Sequence, residues 1–296
     1  MINWGIIGCG DVCEVKSGPA FYKVKGSSLV AVMRRDAKKA ADFAKRHKVP
    51  NYYTTADELL ADPQVNAVYV ATPPHLHKEY TIKALAAGKP VYVEKPMALN
   101  YAECQEMMQA AEKYGQKLFV AYYRRALPYF LKVKELINKG FIGKLIGVEV
   151  RQFRAPFASD FEQSTQTWRI KSDIAGGGYF YDLAPHTIDI LDFLLGKIVD
   201  TKGYVANVRG LYQVEDTVAA SFQFESGALG TGIWSFVTEQ KSNIDSVEIL
   251  GTKGTVSFSV FDFTPIKLTT SEVTQEFQPP NPQHIQQPLM ETIVAE

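Results

Sequence analysis

Asn3-Trp4-Gly5-Ile6-Ile7-Gly8-Cys9-Gly10-Asp11-Val12-Cys13 is a short apolar run that breaks on two glycines. The first glycine permits a tight turn, and the second lets a phosphate approach the backbone. The N-terminus of the following helix, beginning with Asp11 and Val12, then offers unpaired N–H groups and a positive dipole end to an anion. The third position of this fingerprint requires a small residue for close helix–strand packing, and here it is Cys13. A Gly-x-Gly pair alone is a weak signal. It becomes specific when it follows the first strand of a βα series.

That series is visible downstream. Asn3–Ile7, Ser28–Met33, Ala67–Ala71, Pro90–Glu94 and Lys117–Tyr122 are short, apolar and rich in Val and Ile, as parallel strands covered on both faces must be. Between them, Asp36–Lys48, Ala56–Ala61, Leu76–Ala87 and Tyr101–Tyr114 carry helical patterns. Asp36 and Asn100 are suited to N-caps, and Gly88 and Gly115 to C-terminal stops. Residues 1–123 are therefore predicted to form a doubly wound parallel sheet, an α/β Rossmann domain.

The rhythm changes after Tyr123. Helical patterns remain over Tyr129–Lys139 and from Asp182 to Leu195. The rest reads as strands: Leu145–Phe153, Gly203–Arg209, Thr217–Phe224, Ala228–Thr238, Ser246–Leu250, Thr255–Val260 and Ile266–Thr270. This predicts an α+β domain over residues 124–280 with an open, mostly antiparallel sheet. Residues 281–296 read as a proline-bearing linker and the start of a helix that stops at the chain end, as in a truncated chain.

Bulk composition narrows the function classes. The 296 residues carry 32 basic and 32 acidic side chains, so no charge excess favours nucleic acid. No apolar run is long enough for a membrane span, and no secretory leader pattern opens the chain. The three cysteines, Cys9, Cys13 and Cys104, lack metal-ligand spacing and disulfide density, so no metal is expected and a reducing, cytoplasmic setting is.

The residues after the second strand bear on cofactor choice. Val32-Met33-Arg34-Arg35-Asp36 lacks the acid that would bind an NAD ribose, because Asp36 is better used as a helix cap. Arg34 and Arg35 can instead pair with a 2′-phosphate, which favours NADP over NAD.

Three more segments stand out: Ala71-Thr72-Pro73-Pro74-His75-Leu76-His77, Glu94-Lys95-Pro96, and a glycine run, Gly176 to Gly178, leading into Asp182, His186 and Asp189. The first two leave strands at their carboxyl ends, where open α/β sheets bind ligands. Together with the glycine turn, these segments make the chain resemble the glucose–fructose oxidoreductase/inositol dehydrogenase/rhizopine catabolism (Gfo/Idh/MocA) family over nearly its whole length. The resemblance implies hydride transfer between NAD or NADP and a sugar, polyol or related hydroxy compound, and a homodimer or higher oligomer built on the second sheet. It also implies Lys95, Asp182 and His186 as the catalytic triad, with Thr72, Pro73, His77 and Glu94 beside the cofactor. The Lys95–Pro96 bond is expected to be cis, which X–Pro bonds adopt at little cost.

The chemistry agrees with that implication. Removing a hydride from a carbon bearing a hydroxyl needs a base for the proton and a cation for the developing alkoxide. A histidine near neutral pKa suits the first role and a lysine the second. Asp182 and His186, four residues apart, share one helix face, with Asp182 expected as the N-cap and Pro185 in the first turn. His186 is assigned as base, Asp182 as the group that orients it, and Lys95 as the cation; all three are expected to converge on the substrate hydroxyl.

Trp168, Arg169 and Tyr179 suit the faces and hydroxyls of a sugar, and suit packing equally. Asp189 fits either a substrate hydroxyl or a loop cap; Tyr122 and Arg124 suit the domain junction, and His75 the surface. The competing readings are a catalytically silent NAD(P)-sensing regulator, which has no need of the full triad, and a reductase of a non-sugar carbonyl such as a dihydrodiol or a tetrapyrrole.

Overall fold

The computed structural model describes all 296 residues. They form two compact units, Met1–Tyr123 with Pro282–Glu296, and Arg124–Asn281. No helix is long and apolar enough to cross a membrane.

In the first unit, β1 (Ile2–Ile7), β2 (Ser27–Met33), β3 (Asn51–Tyr53), β4 (Ala67–Val70), β5 (Val91–Val93) and β6 (Leu118–Val120) pair in the order β3-β2-β1-β4-β5-β6. Every pairing is parallel. The winding direction reverses between β1 and β4, which opens a crevice at the carboxyl ends of those strands. The connecting helices are α1 (Asp11–Val15), α2 (Gly18–Lys23), α3 (Ala37–His47), α4 (Ala56–Ala61), α5 (His77–Ala86) and α6 (Tyr101–Tyr114). Asp36 caps α3 by accepting from the Lys39 N–H, and Asn100 caps α6 by accepting from the Glu103 N–H. The strand β3 escapes sequence reading, because three polar and aromatic residues at a sheet edge carry no alternation.

Strand alternation sorts the core into two layers. Trp4, Ile6, Tyr69 and Tyr92 face a cluster that contains Phe21 of α2 and Phe43 of α3. Their neighbours Ile7, Val68, Val70, Val91 and Val93 face the other cluster, with Leu59 of α4, Leu85 of α5 and Met107 of α6. The central strands β1, β4 and β5 are thus buried on both sides, which explains their near-continuous apolar sequence. The last helix of the chain, α10 (Gln287–Ala295), contributes Met290 and Ile293 to the first cluster.

The second unit holds α7 (Pro128–Asn138), α8 (Ser172–Ala175) and α9 (Tyr179–Leu195). Its strands are β7 (Leu145–Phe153), β8 (Ile198–Ala206), β9 (Thr217–Phe224), β10 (Leu229–Ser235), β11 (Ile244–Gly251), β12 (Gly254–Phe258), β13 (Ile266–Thr270) and β14 (Thr274–Phe277). They form one sheet in the order β14-β13-β12-β11-β7-β10-β9-β8. Every pairing is antiparallel except β10 with β7. On β9, Val218, Phe222 and Phe224 are buried while Ser221 and Gln223 are exposed, so only one face of this region is covered within the unit.

One sequence expectation is corrected here. Asp182 is not the N-cap of its helix: α9 starts at Tyr179, with Gly178 at the cap. The reason is tertiary. The Gly178 N–H donates to Glu215 Oε1 at 2.7 Å, so a distant carboxylate satisfies the helix end that Asp182 was expected to satisfy. A Cβ on Gly178 would lie 2.4 Å from the Glu215 carbonyl oxygen, which explains the glycine. Pro185 accordingly lies in the helix interior rather than in its first turn.

Candidate functional site

The first unit presents a glycine turn with the shape of a phosphate cradle. Gly8 has φ +91°, and a Cβ there would meet Thr72 Cγ2 at 2.7 Å and the Thr72 nitrogen at 3.0 Å. The turn after β1 and the turn after β4 are therefore packed against each other, and only glycine fits between them. Gly10 is different. Its Cβ would meet only the Gly8 carbonyl oxygen, at 3.9 Å, and would otherwise project into open space. A cradle that a single methyl would fill fits the close approach of a pyrophosphate.

This contrast yields a test. Gly10→Ala should leave the melting temperature unchanged and weaken dinucleotide binding by about 10- to 100-fold, since the methyl occupies ligand space. Gly8→Ala should instead destabilise the fold by about 1–3 kcal/mol, from positive φ and a close contact. Thermal unfolding combined with fluorescence titration of NADPH separates the two. Equal melting losses in both variants would remove Gly10 from the cradle.

Gly8, Gly10, Arg34, Arg35, Thr72 and Pro73 line one cavity of about 240 Å³. Leu76 and Tyr80 join them; no motif marks either, because their placement depends on how the segment after β4 turns into α5. Arg34 is half-buried and its Nη1 donates to the Cys9 carbonyl at 3.3 Å, whereas Arg35 is exposed. Two guanidinium groups at the rim of a cavity beside a phosphate cradle fit an additional phosphate. Asp11 and Val12 begin α1 directly after the cradle.

His77 is fully buried, with Nδ1 2.9 Å from the Pro96 carbonyl and Nε2 2.7 Å from the Thr72 carbonyl. Burial pushes its pKa down, against the pull of those two carbonyls. Both ring nitrogens are spent on main chain, so His77 ties the Thr72-Pro73 turn to the Lys95-Pro96 turn. The Lys95–Pro96 bond is cis. Glu94 is buried as well, and its carboxyl group is engaged by Tyr69, Gln286 and the Lys95 N–H. Lys95 is half-buried at the end of β5.

In the second unit, Asp182 and His186 lie one turn apart on α9. Arg169 Nε is 3.3 Å from Asp182 Oδ2, and the Arg169 guanidinium stacks 4.5 Å from the Trp168 ring. His186 is buried, with its ring 6.0 Å from that of Phe261. Asp189, one turn further along, is also buried and accepts from Arg125 Nε at 2.8 Å. Burial pushes the Asp189 carboxyl up to about 6, with Arg125 opposing. Tyr179 is packed inside the unit and its hydroxyl donates to Asp160 Oδ1 at 2.7 Å. The carboxyl partners Asp160, buried, and Glu215, half-buried, left no signal in the sequence, since each finds its role through a contact distant along the chain. No group of three or more His, Cys, Asp or Glu is arranged to hold a metal ion.

The comparisons with known proteins cover both units. Residues 2–122 match the model of an oxidoreductase family with an NAD-binding Rossmann fold, and residues 130–257 match the GFO/IDH/MocA C-terminal domain. The chain is 41% identical over 295 residues to oxidoreductase P35 of Formosa agariphila, covering 99% of this chain and 90% of that protein. It is 31% identical to the mouse trans-1,2-dihydrobenzene-1,2-diol dehydrogenase, covering 94% of this chain and 80% of that protein. Among solved structures, levoglucosan dehydrogenase in complex with NADH and levoglucosan superposes with a TM-score of 0.81 at 25% identity, over 97% of this chain and 82% of that one.

Proposed function

We propose that this chain, which belongs to the Gfo/Idh/MocA family of oxidoreductases, moves a hydride between NADP and the hydroxyl-bearing carbon of a ring sugar, cyclic polyol or related diol. The observation that carries this reading is a phosphate cradle with Lys95 at the next turn but one, in the same chain as the Asp182–His186 pair on α9. Relatives named for a dihydrobenzenediol and for levoglucosan share a secondary hydroxyl on a ring, which supports the substrate class.

When bound, the nicotinamide supplies or accepts the hydride. Gly8, Gly10 and the start of α1 would hold the pyrophosphate of the dinucleotide, and Arg34 and Arg35 would pair with the 2′-phosphate. During oxidation His186 takes the hydroxyl proton, Asp182 orients the imidazole, and the Lys95 ammonium stabilises the negative charge that develops on oxygen. Arg169, paired with Asp182, fixes that carboxylate. Burial pushes the Cys9 thiol up to about 11, which disfavours the thiolate and gives it no part in this chemistry.

A panel of aldoses, inositols, anhydrosugars and dihydrodiols, followed at the nicotinamide absorbance with NADP and with NAD, tests the reading. Turnover of a ring hydroxyl by the wild type but not by Lys95→Ala supports it. A chain that binds NADPH and turns over none of them is a sensor instead.

The uncovered face of the second sheet is the proposed homodimer surface. Ile233 and Tyr204 are exposed there, beside Ala219 and Ser221, in a shallow depression of about 410 Å³ that Glu149, Arg151 and Lys202 also line. Light scattering should give a dimer at micromolar concentration, and Ile233→Glu should shift it to monomer. A wild type that remains monomeric refutes this.

A further inference from the structure

We infer that Gln286 is a positioning residue for Lys95, acting through Glu94; this rests on the catalytic role proposed for Lys95. Glu94 is only 7% exposed, so its carboxyl oxygens must be satisfied inside the protein. Oε1 receives the Tyr69 hydroxyl at 2.5 Å and the Gln286 side-chain amide at 2.8 Å. Oε2 receives the Lys95 main-chain N–H at 3.1 Å. Gln286 is itself 1% exposed, and its Oε1 accepts from the Tyr92 hydroxyl at 3.0 Å.

Both ends of the Gln286 amide are thereby used, the oxygen to receive from Tyr92 on β5 and the nitrogen to donate to Glu94 just beyond that strand. Tyr69 and Tyr92 stack with ring centroids 5.1 Å apart, so the donors cannot drift independently. Glu94 is held on one oxygen by fixed donors and uses the other to hold the peptide that carries the Lys95 side chain.

Gln286 reaches this place from far along the sequence. It lies just before α10, which Met290 and Ile293 anchor in the core of the first unit. The residues after the second unit therefore complete the setting of Lys95. A leucine at 286 would keep the volume and leave both Tyr92 and Glu94 Oε1 short of a partner, which frees the Glu94 side chain to turn. Displacement of a reacting group by about 1 Å costs rate on the order of 10²-fold, without touching the cofactor's own contacts.

The experiment compares the full chain with Gln286→Leu and, as a milder change, Tyr92→Phe. Hydrogen exchange at the Lys95 amide should quicken by about tenfold in Gln286→Leu, with strand amides of β1 and β4 unchanged. Its kcat should fall by about 10- to 100-fold while NADPH binds with unaltered affinity. Tyr92→Phe should move both readouts in the same direction by less, and it carries the test should Gln286→Leu not fold. A loss of melting temperature with unchanged kcat, or an unchanged Lys95 amide, would make Gln286 a packing residue and overturn the inference. If the wild type turns over no substrate of the panel, selective opening of the Lys95 amide still supports the anchor, and the failure belongs to the proposed reaction.

Discussion

His186→Ala should lower turnover about 10²–10⁴-fold, the usual worth of a positioned base, while NADPH binding stays nearly intact. His186 belongs to the second unit and the cofactor residues to the first, which is why binding and rate should separate. Lys95→Ala should be at least as damaging, because the charge developing on oxygen then lacks its cation. In the wild type, oxidation should rise with pH through one ionisation in the neutral-to-alkaline range. The sign follows from the role: a base works unprotonated, so activity is gained as pH rises through its pKa and lost below it. Steady-state rates of both variants across pH, alongside NADPH titration, make the comparison. Should His186→Ala keep near-full turnover and the wild-type pH profile, Lys95 becomes the base.

Arg34→Asp should reverse the cofactor choice. An aspartate there sets a negative charge against the 2′-phosphate and offers an acceptor to the NAD 2′-hydroxyl. The proposed preference for NADP over NAD should fall by about 100-fold or more, since a charge-assisted pair is exchanged for a repulsion. Arg34 also donates to the Cys9 carbonyl, so some affinity for both cofactors should be lost with it. The decisive quantity is the ratio of the two dissociation constants. An equal loss for NADP and NAD means that Arg34 only braces the cradle.

Much of this molecule was legible from residues adjacent in sequence. The Gly8-Cys9-Gly10 turn, the apolar strands and the caps at Asp36 and Asn100 each depend on local backbone chemistry, and the parallel sheet followed from their repetition. Most residues lining the cradle cavity, Leu76 and Tyr80 excepted, were equally accessible, because motifs that end strands of such a sheet must meet at its carboxyl edge.

What tertiary structure decided was how polar groups are used. Asp182 was an obvious cap until Glu215 took that place and moved the start of α9 to Tyr179. His77 and Glu94 are buried and bonded to main-chain and side-chain partners of the first unit that no sequence pattern names. Tyr179 gives its hydroxyl to Asp160. Gln286 carries no motif at all. The physical reason is common to all of them. A buried polar atom must find a partner wherever the fold supplies one, and a partner tens or hundreds of residues away leaves no periodicity in the sequence.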